Sequence, residues 1–122
     1  MRLLLIDDDR VFRNALARML RLDFDVVAVA SADEAMALLL AGEAFDALVT
    51  DLEMPGCDGF QAIARIRAVD ARLARRAVIC TGAHLTDDEI AAHATRGFVI
   101  LPKGSATTEL VQAIRDRIGE HP

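Results

Sequence analysis

Five side chains of this sequence could do chemistry together if the fold brought them to one place: Asp7, Asp8, Asp51, Thr81 and Lys103. Adjacent carboxylates repel, and the cost grows where water is partly excluded. Asp7, Asp8 and Asp51 would therefore destabilise an empty site unless a cation sat among them. Oxygen-only ligands that leave room for several waters describe a Mg²⁺ site. Beside such a cation Asp51 could attack phosphorus and form an acyl phosphate. The metal would neutralise charge on the transferred group and align it. Lys103, the only lysine in a chain that otherwise uses arginine, would supply a mobile cation for a phosphoryl oxygen. Thr81 would donate its hydroxyl hydrogen to another, and Gly82 would leave room beside it. Each residue also has a plain account. Asp7 and Asp8 could be solvated loop residues, Asp9 a helix cap, Asp51 a turn residue, Lys103 a surface lysine, and Thr81 a strand end chosen for β propensity.

These residues matter together only if they converge, and the flanking patterns say that they do. Leu3 to Ile6 is a continuous apolar run, as expected of a strand buried on both faces. Val11, Phe12, Ala15, Leu16, Met19 and Leu20 then repeat at helical spacing. Asp25 to Ala30 reads as a second strand. Ser31 and Glu34 form a capping box for a helix that stops at Gly42. Ala47 to Thr50 is a third strand, and Met54 to Gly59 is turn chemistry. Phe60, Ile63, Ile66 and Val69 make another helical stripe. Ala77 to Cys80 is a fourth strand, and Thr86 to Glu89 a second capping box before a short helix that ends at Gly97. Phe98 to Leu101 is a fifth strand, followed by a helix through Leu110, Val111, Ile114 and Ile118. Alternating β and α predicts an α/β fold, a doubly wound five-stranded parallel sheet with helices on both faces and right-handed crossovers. Ligand sites in such sheets lie beyond the carboxyl ends of the strands. The five chemistry-bearing residues all stand at those ends.

The size and composition narrow the alternatives. The chain has 122 residues, 53% of them hydrophobic, which predicts a single domain over 1–122 with one core. The net charge of -5, the absence of a long basic run and the lack of Trp and Tyr argue against a nucleic-acid surface. Cys57 and Cys80 share no metal-like spacing and form no disulfide framework, which suits a reducing compartment. The apolar run after Met1 is too short for a signal peptide, and no segment is long enough to span a bilayer. A cytoplasmic location without membrane association is expected, either as a stand-alone protein or as a piece of a larger cytoplasmic one. His84, His93 and His121 form no constellation with the cysteines, and no glycine-rich loop follows the first strand.

Taken in order, these residues resemble the receiver domain of two-component response regulators. The most specific stretch is Val49-Thr50-Asp51-Leu52-Glu53-Met54-Pro55-Gly56-Cys57-Asp58-Gly59, an acceptor aspartate followed at fixed spacing by Met-Pro and Asp-Gly. The resemblance covers nearly the whole chain, from Leu3 to the last helix. It implies the flavodoxin-like strand order 2-1-3-4-5. It also implies that Asp51 accepts a phosphoryl group from a histidine kinase or a histidine phosphotransfer protein. Asp8 and Asp51 would ligate Mg²⁺ directly, Asp7 through water, and Glu53 through its backbone carbonyl. Thr81 and Lys103 would bind phosphoryl oxygens, and movement of Thr81 would repack the surface of the fourth helix, fifth strand and fifth helix for an unidentified output partner.

The chain departs from that pattern at three points. Receivers usually carry an aromatic residue three positions before the lysine; here Ile100 stands there, and only a shifted register would let Phe98 take its place. Pro102-Lys103-Gly104 replaces the usual Lys-Pro order, and the Leu101-Pro102 isomer is open. Glu53, two residues after Asp51, is an acid that could alter phosphoryl lifetime. Two other functions compete. A Mg²⁺-dependent phosphatase would use Asp51 as covalent nucleophile, but such enzymes commonly place it after the first strand and carry a cap domain. A pseudo-receiver would act only by binding, but its usual mark is loss of the acceptor or the acidic pair, and this chain has both.

Overall fold

A computed structural model describes residues 1–119. Its elements are β1 (Arg2–Ile6), α1 (Arg10–Leu20), β2 (Asp25–Val29), α2 (Ala32–Leu40), β3 (Ala47–Thr50), α3 (Gly59–Val69), α4 (Ala71–Arg75), β4 (Ala77–Thr81), α5 (Asp87–Thr95), β5 (Val99–Pro102) and α6 (Thr107–Ile118). The strands form one sheet in the order β2-β1-β3-β4-β5, and every neighbouring pair is parallel. This is the expected doubly wound, flavodoxin-like arrangement. His121 and the end of the domain expected over 1–122 lie outside the described residues.

Alternation along each strand sends successive side chains to opposite faces, and so builds two apolar layers. Leu4, Ile6, Leu48 and Ile79 meet α2, α3 and α4 through Leu39, Ile63, Ile66 and Leu73. Leu3, Leu5, Val49 and Val78 meet α1 and α6 through Leu16, Leu20, Leu110 and Ile114. Burial on both faces is what the continuous apolar runs required. Each such side chain contributes roughly 1.5–3 kcal/mol when fully buried.

Local details differ from the sequence expectation in four places. α4 is a single turn with too few residues for a helical period to register. Its start is set by Asp70, which closes α3 and accepts a hydrogen bond from the Leu73 N–H at 3.0 Å. The Asp58-Gly59 turn is itself a helix start, with Asp58 and Gln61 forming a capping box. Only half of the Ser31–Glu34 box forms. Ser31 accepts from the Glu34 N–H at 3.2 Å, but the Glu34 carboxylate takes the Ala30 N–H, one residue further out. β5 begins at Val99 and includes Pro102, which leaves Phe98 outside the strand.

Candidate functional site

The sheet ladder carries the reactive side chains to the carboxyl edge. The Asp7 N–H donates to the Val29 carbonyl at 3.1 Å and the Asp51 N–H to the Ile6 carbonyl at 2.9 Å, so both residues continue the strand pairing. Thr81 ends β4, and its carbonyl accepts the Lys103 N–H at 2.8 Å. Each backbone position is therefore fixed by a rung shared with a neighbouring strand.

The side chains converge. Asp7, Asp8 and Asp51 each offer a carboxylate oxygen, and these atoms lie within 4.8 Å of one another. Asp7 and Asp51 are buried, whereas Asp8 is exposed. The Lys103 ammonium stands 3.2 Å from Asp7 Oδ2 and 3.4 Å from Asp51 Oδ2. Burial pushes the Asp51 carboxyl above its ordinary value, and the neighbouring Asp7 charge adds to this against the pull of Lys103. Burial alone would lower Lys103, but its hydrogen bonds and charge attraction to Asp7 and Asp51 leave it raised. One ammonium faces three carboxylates, so the cluster is short of positive charge. Its all-oxygen chemistry fits a hard divalent cation such as Mg²⁺. Glu53 is exposed, and its carboxylate stands outside the gathered group. The part expected of it runs through its backbone carbonyl.

Thr81 is buried, and its hydroxyl oxygen accepts the Ala83 N–H at 2.9 Å. That bond uses a lone pair and leaves the hydroxyl hydrogen available to donate. A Cβ added at Gly82 would lie 3.6 Å from Lys103 Cδ, an ordinary contact, so present packing does not by itself demand glycine there.

Two supporting residues, Phe12 and Arg13, were not singled out by the sequence, and a third, Gly59, was read only as turn chemistry and part of the family stretch. Phe12 looked like a core position, yet the Lys103 ammonium lies 4.4 Å from its ring centroid, a cation–π pairing. Arg13 donates to the Asp7 carbonyl at 2.8 Å. A Cβ on Gly59 would fall 2.6 Å from the Asp51 carbonyl oxygen, so glycine is needed for the close approach of α3 to the end of β3. The Asp58-Gly59 pair was visible as turn chemistry. The contact behind it spans the loop and leaves no periodic signal.

The family model for the response regulator receiver domain matches residues 3–115. The chain belongs to this family. A response regulator receiver protein of Anaeromyxobacter sp. (strain Fw109-5) is 35% identical over 111 residues, covering 90% of this chain and 45% of the relative. The chemotaxis protein CheY of Pseudomonas aeruginosa is 34% identical over 125 residues, covering 97% of this chain and 98% of that protein. The solved response regulator receiver protein of Sinorhizobium medicae WSM419 superposes with a TM-score of 0.80 at 25% identity, over 98% of this chain and 95% of the other. The chain spans less than two thirds of the length of the first curated relatives that it matches, 45% in the Anaeromyxobacter case.

Within this receiver domain, the β4–β5 register settles the question of Phe98. Pairing runs without a break from Val78↔Val99 to Thr81↔Pro102. Ile100 is therefore the buried strand residue three positions before Lys103, and no shifted register brings Phe98 there. Phe98 instead packs edge-on against Phe60 of α3, centroids 4.8 Å apart, and Phe60 also meets His93 of α5 at 4.8 Å. A cavity of about 260 Å³ opens beside Thr81, bordered by Ile100, Ile90, Leu85 and His84. The Leu101-Pro102 peptide is trans.

Proposed function

We propose that this receiver domain is a phospho-accepting switch of a two-component system, with Asp51 as the acceptor in a Mg²⁺-dependent reaction. The observation that carries the reading is the convergence of Asp7, Asp8 and Asp51 within 4.8 Å, with the Lys103 ammonium at 3.2 and 3.4 Å from two of them. The donor is a phosphohistidine of a histidine kinase or a histidine phosphotransfer protein. An Asp51 carboxylate oxygen attacks the phosphorus; an O–P bond forms as the P–N bond breaks, and the bonding pair returns to the imidazole nitrogen.

Mg²⁺, held by Asp8 and Asp51, by Asp7 through water and by the Glu53 carbonyl, would neutralise charge on the phosphoryl group. Lys103 leaves its carboxylate partners for a phosphoryl oxygen, and Thr81 donates its hydroxyl hydrogen to another. The consequence is altered partner binding at the surface around α5, β5 and α6, in the cytoplasm. Self-dephosphorylation by water is the only turnover this reading includes. Among the described residues no helix is long and apolar enough to cross a membrane.

Intact mass after treatment with Mg²⁺ and a small phosphodonor tests the reading. One labile phosphoryl group per chain, absent from Asp51→Asn, is expected. No gain in wild type, together with no Mg²⁺-dependent binding of a phosphoryl mimic, would leave a binding-only module. Steady turnover of a phosphate ester would favour the phosphatase.

A further inference from the structure

The arginines look dispersed in the sequence, yet the fold gathers four of them at the pole opposite Asp51. Arg67 lies in the last turn of α3, Arg75 ends α4, Arg96 caps α5 and Arg117 lies in the last turn of α6. They surround a hollow of about 300 Å³ that also touches Ala74, Gly97 and Phe98. A cation at a helix carboxyl terminus is ordinary, because it meets the negative end of the dipole. That accounts for each arginine singly. It does not account for four of them around one hollow that no carboxylate lines among the described residues, in a chain with a net charge of -5.

Arg117 is built into the wall. Its Nε donates to the Ala77 carbonyl at 3.1 Å and one terminal nitrogen to the Gly97 carbonyl at 2.8 Å, tying the start of β4 to the turn before β5. Burial pulls its guanidinium below the ordinary value, and no carboxylate among the described residues offsets that. Arg67, Arg75 and Arg96 are exposed and free to close over a ligand; the Arg96 guanidinium lies 5.6 Å from the Phe98 ring centroid. Guanidinium groups in a fork suit phosphate oxygens. A water occupies about 30 Å³ of liquid volume, so the hollow has room for several linked phosphates, more than a single one needs.

We propose that Arg67, Arg75, Arg96 and Arg117 form a binding site for an oligophosphate anion, either a free chain or the phosphate tail of a nucleotide. Such a ligand would join α3, α4, α5 and α6 at the pole away from the phosphoryl site, and give the receiver domain a second input.

The test titrates the full protein, in Mg²⁺-free buffer, with sodium tripolyphosphate, ATP and orthophosphate, followed by calorimetry and by amide chemical shifts. Saturable binding of tripolyphosphate is expected, with shifts concentrated at Arg75, Arg96, Gly97 and Phe98. Combining Arg75→Ala with Arg96→Ala, two exposed positions, should weaken it by about tenfold or more, while Arg18→Ala on α1 leaves it unchanged. ATP binding as tightly as tripolyphosphate identifies the bare chain as ligand; tighter ATP binding identifies a nucleotide. The proposal is overturned if orthophosphate binds equally well, if shifts centre on Asp8, Asp51 and Lys103, or if Arg18→Ala loses as much as the double variant.

Discussion

Asp51 grows out of the most deeply packed part of the molecule, whereas Lys103 reaches the same site from its most exposed edge. In β1, Leu3 to Ile6 are at most 1% exposed, and every residue of β3 is buried. Across the sheet, α5 has no buried residue and β5 has only Ile100. In the function proposed above these carboxylates hold a cation and present a nucleophile, and such groups lose activity when displaced by an ångström; they stand where packing resists movement. A helix held by little apolar burial shifts at small cost. The proposed chemistry and its proposed readout thus occupy parts of one sheet that differ in burial.

Several substitutions would break or sharpen this contrast. Leu48→Ala in β3 should cost about 2–5 kcal/mol in urea unfolding, the usual range for a fully buried leucine. A loss below about 1 kcal/mol would remove the claim that the acceptor strand is the rigid part. At Cys80 in β4, burial pushes the thiol up to about 11 from an ordinary 9. Between those values the folded chain keeps a proton that the unfolded chain releases, so stability should fall as pH rises through this window. The loss amounts to at most about 2 to 3 kcal/mol. Urea midpoints from pH 8 to 11 should decline less steeply in Cys80→Ala; identical slopes would contradict the assignment. Gly59→Ala should cost about 1–3 kcal/mol and slow phosphoryl uptake, because the new methyl would meet the Asp51 carbonyl oxygen at 2.6 Å. Uptake at the wild-type rate, measured by intact mass over time, would show that the acceptor loop gives way freely. Ile90→Ala in α5 should have the smallest effect, below about 1 kcal/mol. A cost matching Leu48→Ala would mean that the two sides are equally stiff.

The sequence displayed the frame more fully than the supports. Leu3 to Ile6 and Ala47 to Thr50 advertise buried parallel strands, and once the strands are placed, their carboxyl ends name Asp7, Asp51 and Thr81 without further help. Lys103 stood out as the only lysine. What remained hidden depends on tertiary approach. Phe12 belongs to an ordinary helical stripe, and only the folded path of the loop after β5 brings an ammonium over its ring. Gly59 reads as a turn glycine until α3 is docked against Asp51. α4 has too few residues to show a period. The arginine cluster is invisible because its members come from four helices that end at the same pole.

Pro102 has a consequence for how copies of this chain meet one another. β5 lies at the border of the sheet, and the Lys103 N–H turns inward to the Thr81 carbonyl. Backbone groups alternate sides along a strand, so the amide nitrogen of Pro102 faces outward, and it carries no hydrogen. The proline therefore costs no rung of the native ladder. A second chain trying to zip onto that border would lack a donor at the step beside Lys103. Sheet extension along β5 would thus be one hydrogen bond short there.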